Sequence, residues 1–119
     1  MPVEDPSEAL HGLAAALAVF RDETDEHANL CTFIIFLWVV RKPGITVMEI
    51  VGEGGAPRST VSRNVSYLMA SRRKSGKEGI HPGYGLIFDQ NNPLDRRQTN
   101  LYLTAKGERV AARLAAAFA

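Results

Sequence analysis

Between Thr46 and Met69 the chain carries two short amphipathic stretches with only a glycine cluster between them. This spacing restricts the fold more than any other feature. Thr46 and Glu49 stand three residues apart, the interval at which each side chain satisfies a free amide at a helix start. Gly52, Gly54 and Gly55 are expected to break the helix that begins there, and Pro57 to open the next. In that second helix Val61, Val65, Leu68 and Met69 recur at the spacing of one apolar face. The opposite face offers Ser59, Ser62, Arg63 and Ser66, with Arg58, Thr60 and Asn64 flanking. Two short helices joined by a glycine turn form a helix-turn-helix unit with a polar reading face.

The flanking sequence supplies its support. Asp5-Pro6-Ser7-Glu8 reads as a helix start, and Leu10, Leu13, Ala14, Leu17 and Ala18 continue one apolar face to about Arg21. A second start is expected at Thr24, with Leu30, Phe33, Ile34, Leu37 and Trp38 as the apolar face of a central helix that Pro43-Gly44 stops. After the helix-turn-helix the 71–83 segment holds Arg72, Arg73, Lys74 and Lys77 with three glycines and Pro82, the pattern of a helix end running into a loop. The period then changes. Tyr84 to Phe88 and Thr99 to Leu103 read as two strands, joined by a long polar tip from Asp89 to Gln98. Thr104 caps a last helix with Val110, Leu114 and Phe118 on one side. The expected class is therefore mainly α with a small β-hairpin, a winged helix-turn-helix.

Asp95 to Gly107 makes the comparison more specific. An Asp-x-Arg tip (Asp95, Arg96, Arg97) runs into a strand and then into Leu103-Thr104-Ala105-Lys106-Gly107, which resembles the wing motif of MarR-family transcriptional regulators. Pro57 to Leu68 is similar to that family's recognition helix, and the resemblance spans about Leu30 to Gly107. Relative to the family pattern, Gly85-Leu86 arrives about a dozen residues late because of the basic 71–83 segment. The resemblance implies a homodimer, built through the first helix and the C-terminal helical region, that binds double-stranded DNA.

Charge agrees with an anionic partner. The net charge of +1 hides two unlike halves: residues 1–56 hold three basic against nine acidic residues, and residues 57–119 hold eleven basic against four acidic. An α-helix fits the major groove, and short hydroxyl, Asn and Arg side chains near its start reach base edges and phosphates. Thr60, Ser62, Arg63 and Asn64 are the leading candidates, with Arg58 and Ser59 beside them. Arg97 suits a narrow minor groove, with Arg96 adjacent and Asp95 holding it. Arg72, Arg73, Lys74 and Lys77 would follow the backbone. A winged-helix module for protein interaction is the alternative, since this fold serves both purposes.

Other chemistry finds no support. With 119 residues the chain fits one domain, residues 1–119, whose N- and C-terminal helices serve dimerisation. One cysteine, Cys31, precludes an internal disulfide, and His11, His27 and His81 lack metal-ligand spacing. The longest apolar run, Phe33 to Val40, is 8 residues, too short for a membrane span. Glu4, Asp5 and Glu8 stand where a signal peptide carries positive charge, so a cytoplasmic location is expected. Gly52 to Thr60 only superficially resembles a phosphate loop, lacking the second Gly and the Lys. No enzyme activity or cofactor is expected, and no residue argues for a small-molecule ligand.

Overall fold

The computed structural model describes residues 5–25, 28–54, 56–69, 71–73 and 80–119. Asp5 caps the first helix as expected, its carboxylate accepting from the Ser7 amide at 3.0 Å. That helix does not run on to Arg21. It ends after one turn, α1 (Pro6–Ala9), and restarts as α2 (Leu13–Glu23). The break brings Gly12 against the far end of the chain, where a Cβ would lie only 2.2 Å from the carbonyl oxygen of Phe118.

Thr24 closes α2 instead of opening the next helix, because its hydroxyl donates back to the Phe20 carbonyl at 2.7 Å. The real start is Asn29. Its side chain accepts from the Thr32 amide, and the Thr32 hydroxyl accepts from the Asn29 amide, both at 3.1 Å. This reciprocal cap begins α3 (Leu30–Arg41). The face turned inward also differs from expectation: Thr32, Phe33, Ile35, Phe36 and Val39 are buried, whereas Leu30, Ile34 and Leu37 are exposed. Nearly every residue of this helix is apolar, so periodicity could not choose the inner face.

Strand β1 (Ile45–Thr46) leads into α4 (Val47–Gly54), which continues through Gly52 instead of breaking there. The expected capping box is present: the Thr46 amide donates to Glu49 and the Glu49 amide to Thr46 Oγ1, each at 3.1 Å. Lys42 Nζ also binds the Glu49 carboxylate. Its ammonium, and then the Thr46 amide, hold the Glu49 carboxyl below the usual carboxylate range. A lowered folded-state pKa adds stability that is complete above the unfolded value and is lost as pH falls through the folded one. Glu49→Gln should therefore be less stable than the parent near pH 7, with the gap narrowing as pH falls through and below the usual carboxylate range. Urea denaturation over a series of decreasing pH values measures it.

Helix α5 (Arg58–Leu68) follows Pro57, and its cap Met69 is already extended. The chain therefore passes into strand rather than the expected helix end and loop. Strands β2 (Ser71–Arg73) and β3 (Ile80–Pro82) pair antiparallel, with Arg72 opposite His81. Main-chain bonds fasten the return of this segment to the end of α5, from Tyr84 N to the Tyr67 carbonyl at 2.9 Å and from Leu86 N to the Leu68 carbonyl at 2.8 Å.

The wing follows as β4 (Ile87–Asn92) and β5 (Asp95–Leu103), and β5 lies between β1 and β4 in a three-stranded antiparallel sheet. Its strands extend well into the stretch expected to be a loop, leaving Pro93-Leu94 as the turn. Thr104 caps α6 (Ala105–Phe118) as expected, its hydroxyl accepting from the Gly107 amide at 2.9 Å. Val110 and Leu114 enter the core, whereas Phe118 stays exposed. Phe20, Phe33 and Phe36 form an aromatic cluster there, with ring centroids 5.0 and 5.6 Å from Phe20. No helix among the described residues is long and apolar enough to cross a membrane, and no group of His, Cys, Asp or Glu among them could hold a metal ion.

Candidate nucleic-acid interface

Helix α5 presents two unlike faces. Val61, Val65 and Leu68 are buried, as their spacing requires, and the opposite face leaves Arg58, Ser59, Ser62, Arg63 and Ser66 exposed. Thr60 is half-buried at the margin. No acidic residue occupies the first turn, and Pro57 contributes no side-chain cap. The start of the helix thus combines the positive end of its dipole with Arg58, a combination suited to an anion. Ser66 is partly engaged, its hydroxyl donating to the Ser62 carbonyl at 3.1 Å.

Asn64 does not belong to this face. It is only 3% exposed, and its amide donates to the Thr60 carbonyl at 2.9 Å while its oxygen accepts from the Thr32 hydroxyl at 2.6 Å. Both polar ends are therefore used inside the fold. Thr32 is fully buried too, and the same hydroxyl completes the cap of α3, so one polar cluster fixes α5 against α3. Buried polar groups keep their place only when satisfied, and a satisfied pair imposes one orientation on the two helices. Asn64 thus ties α5 to α3 from inside the fold, away from the exposed face on which its sequence position had placed it. Its sequence position, between Arg63 and Val65, gave no sign of this, because the partner lies 32 residues away.

The wing joins the same surface. Thr46, Val47 and Met48 from the start of α4, Arg58 and Ser62 from α5, and Gln98 and Thr99 from β5 line one cleft of about 230 Å³. Helix α5 and the wing therefore share one continuous concavity of mixed polar and apolar lining. Met48 has no local signal in the sequence, and the only one for Gln98 and Thr99 is their place directly after the Asp95 to Arg97 motif. On β5, Asp95 pairs with Asn92 and Thr99 with Asn91, so Arg96, Arg97 and Gln98 have no counterparts on β4. Such a bulge increases local twist and bends its strand. Arg72 and Arg73 lie on β2, just past the end of α5, and Lys74 and Lys77 fall outside the described residues.

A different surface lies across the molecule. Helices α2, α3 and α6 enclose an open apolar cavity of about 340 Å³, lined by Leu13, Phe33, Leu37, Val40, Leu114 and Phe118 among others. Leu10, Leu17, Leu30 and Ile34 are also exposed, Leu30 to 64%. An apolar surface of this extent marks an interaction site more often than free solvent-facing surface.

No family model matches the chain, and no curated protein matches it. Solved structures do. The chain is similar to the PcaV transcriptional regulator from Streptomyces coelicolor, with 24% identity over 94% of this chain and 74% of that one, at a TM-score of 0.60. It is similar to the transcriptional regulator Tm0710 from Thermotoga maritima, with 21% identity over 94% and 68% of the two chains and a TM-score of 0.72. The S. aureus MepR–DNA complex contains a third similar chain, with 17% identity, 93% and 76% coverage and a TM-score of 0.66. What is shared at these identities is the fold, a winged helix-turn-helix.

Proposed function

We propose that this chain is a MarR-like transcriptional regulator that binds double-stranded DNA as a homodimer. The observation that carries the proposal is the continuous cleft from α5 to the wing, in which Arg58 and Ser62 of α5 stand beside Gln98 and Thr99 of β5, all four from the basic half of the chain. The fold likeness to MepR, which was solved bound to DNA, supports the same partner.

In this function α5 enters the major groove, with Ser59, Thr60, Ser62 and Arg63 against base edges and Arg58 on a phosphate. Asp95, Arg96 and Arg97 carry the wing toward the adjacent minor groove, where arginine gains from the concentrated negative potential. Arg72 and Arg73 continue the basic track beyond the end of α5. The apolar surface of α2, α3 and α6 pairs with its two-fold copy, the commonest closed assembly. PcaV was solved with its natural ligand; in this chain the cavity between these helices is assigned to the partner copy.

Arg63→Ala should weaken binding to a selected site by about 1 to 3 kcal/mol if the guanidinium reads a base, and relax the preference at one position of each half-site. Fluorescence anisotropy over a range of salt concentrations tests this. Wild-type affinity should fall steeply with salt, by about 0.9 logarithmic units per neutralised phosphate for each tenfold increase. A salt-independent affinity, or an Arg63→Ala variant with unchanged affinity and preference, would overturn the assignment of α5.

A further inference from the structure

The turn of the wing carries an apolar side chain that the fold has no use for. Leu94 is 95% exposed, by far the most exposed of the large hydrophobic residues in the described structure. It packs on no core residue, and beside it Pro93 is exposed as well. The turn is nevertheless held in place. The Asn92 side chain accepts from the Leu94 amide at 2.9 Å and donates to Gln98 at 3.2 Å, so the apex is tied to both strands. A hairpin that projects into water is served by polar residues at its apex, since an exposed leucine there gains nothing on folding.

The neighbours identify the occupant. Asn91, Asn92 and Gln98 surround the apex with neutral amide groups, and Thr99 donates to Asn91 at 3.4 Å. Arg96 and Arg97 follow in the chain, and Gln98 also lines the cleft shared with α5. The apex is therefore continuous with the proposed DNA surface and combines an apolar tip, amides and cationic sequence. Leucine and proline are among the side chains that wedge between base steps in the minor groove, where they unstack one step and bend the duplex away from the protein. Amides suit the acceptor-rich floor of that groove.

Resting on the DNA-binding assignment above, we propose that Leu94 is a minor-groove wedge, seated at one base step in each flank of the operator and bending the DNA there. The preference it creates is for a step that unstacks easily, such as TA or CA, and acts through deformability rather than hydrogen bonds.

The test uses the full chain and a duplex chosen by selection, with 2-aminopurine placed in turn at each flanking step and a dye pair at the duplex ends. Wild-type protein should brighten 2-aminopurine at one step per flank and shorten the end-to-end distance. Leu94→Ala should abolish both signals and weaken binding by roughly tenfold, the scale of one buried leucine side chain. Leu94→Met, still long and apolar, should restore them. Because the side chain touches no core residue, these variants leave the fold intact. If wild-type protein binds the duplex tightly with no step brightened, or if Leu94→Ala keeps the brightening and the bend, the wedge is overturned while DNA binding stands. If wild-type protein binds no duplex at all, the DNA-binding assignment falls and the wedge with it.

Discussion

Phe36→Ala is expected to destabilise the fold by about 3 to 5 kcal/mol, a large part of the roughly 5 to 15 kcal/mol that holds a domain of this kind together. Phe36 is fully buried, its ring centroid lying 5.6 Å from that of Phe20. Truncation loses the burial of the ring and leaves a cavity that the surrounding core only partly fills. The same cluster seats α3, and α3 holds α5 through Thr32 and Asn64. DNA affinity should therefore fall together with stability. Urea denaturation of the two proteins gives the first quantity, and anisotropy at a temperature where the variant is still folded gives the second. A loss below about 1 kcal/mol would show that the aromatic cluster does not anchor the domain.

Gly107→Ala should cost about 3 kcal/mol, the upper end of the usual range for overpacking, although it adds a single methyl group in a helix, where alanine is normally favoured. A Cβ at this position would lie 2.0 Å from the Leu86 carbonyl oxygen. That oxygen cannot retreat easily, because it accepts from the Thr104 amide at 3.0 Å and its neighbours are paired to α5 and the sheet. The first turn of α6 must move away, and the Thr104 cap on the Gly107 amide is strained with it. Gly52→Ala is the contrasting substitution. Nothing lies within 4 Å of a Cβ there, so the helical preference should act alone and stabilise α4 by up to about 1 kcal/mol. Thermal unfolding of both variants distinguishes a steric role for Gly107 from a general intolerance of substitution in short helices.

The final glycine of the Leu-Thr-x-x-Gly motif therefore has a physical cause: only glycine lets α6 start directly on the Leu86 main chain. Features of this local kind were legible in the sequence. Thr46 with Glu49 and Thr104 with Gly107 are caps made within a few residues, and the Val61, Val65, Leu68 stripe faces a core that one helical period defines. Legibility failed where distant contacts decide. Asn29 outcompeted Thr24 as the helix start because its reciprocal cap with Thr32 also serves Asn64. The run from Leu30 to Val40 is apolar on nearly every side, so only its packing against other elements, α5 and β5 foremost, determines which residues turn inward.

The wing shows the same division. The polar stretch from Asp89 to Gln98 marks a hairpin connection, but polar residues on both strands conceal how far the ladder extends, since Asp89 and Gln90 pair with Leu101 and Asn100 while facing solvent. The pairing of β2 with β3 was hidden by a basic, glycine-rich composition that reads as loop. In the interface the exposed residues of α5 followed from helical spacing, and Asn64 was the exception because its partner is remote in sequence. Gln98 and Thr99 join Arg58 and Ser62 only through the course of β5 past α5, a tertiary fact with no local signature.

Selection of bound duplexes from a random DNA pool, with the wild-type chain and with Ser59, Ser62 and Arg63 all replaced by Ala, decides whether α5 reads DNA sequence. The wild-type chain should enrich a two-fold symmetric sequence whose half-sites are centred about one helical turn, ~10 base pairs, apart, as a dimer with one α5 in each successive major groove requires. The triple variant should lose that enrichment while keeping weak, salt-sensitive binding to any duplex. A pool that shows no enrichment with the wild-type chain, or the same enriched sequence with the triple variant, would contradict the assignment of α5 as the reading helix.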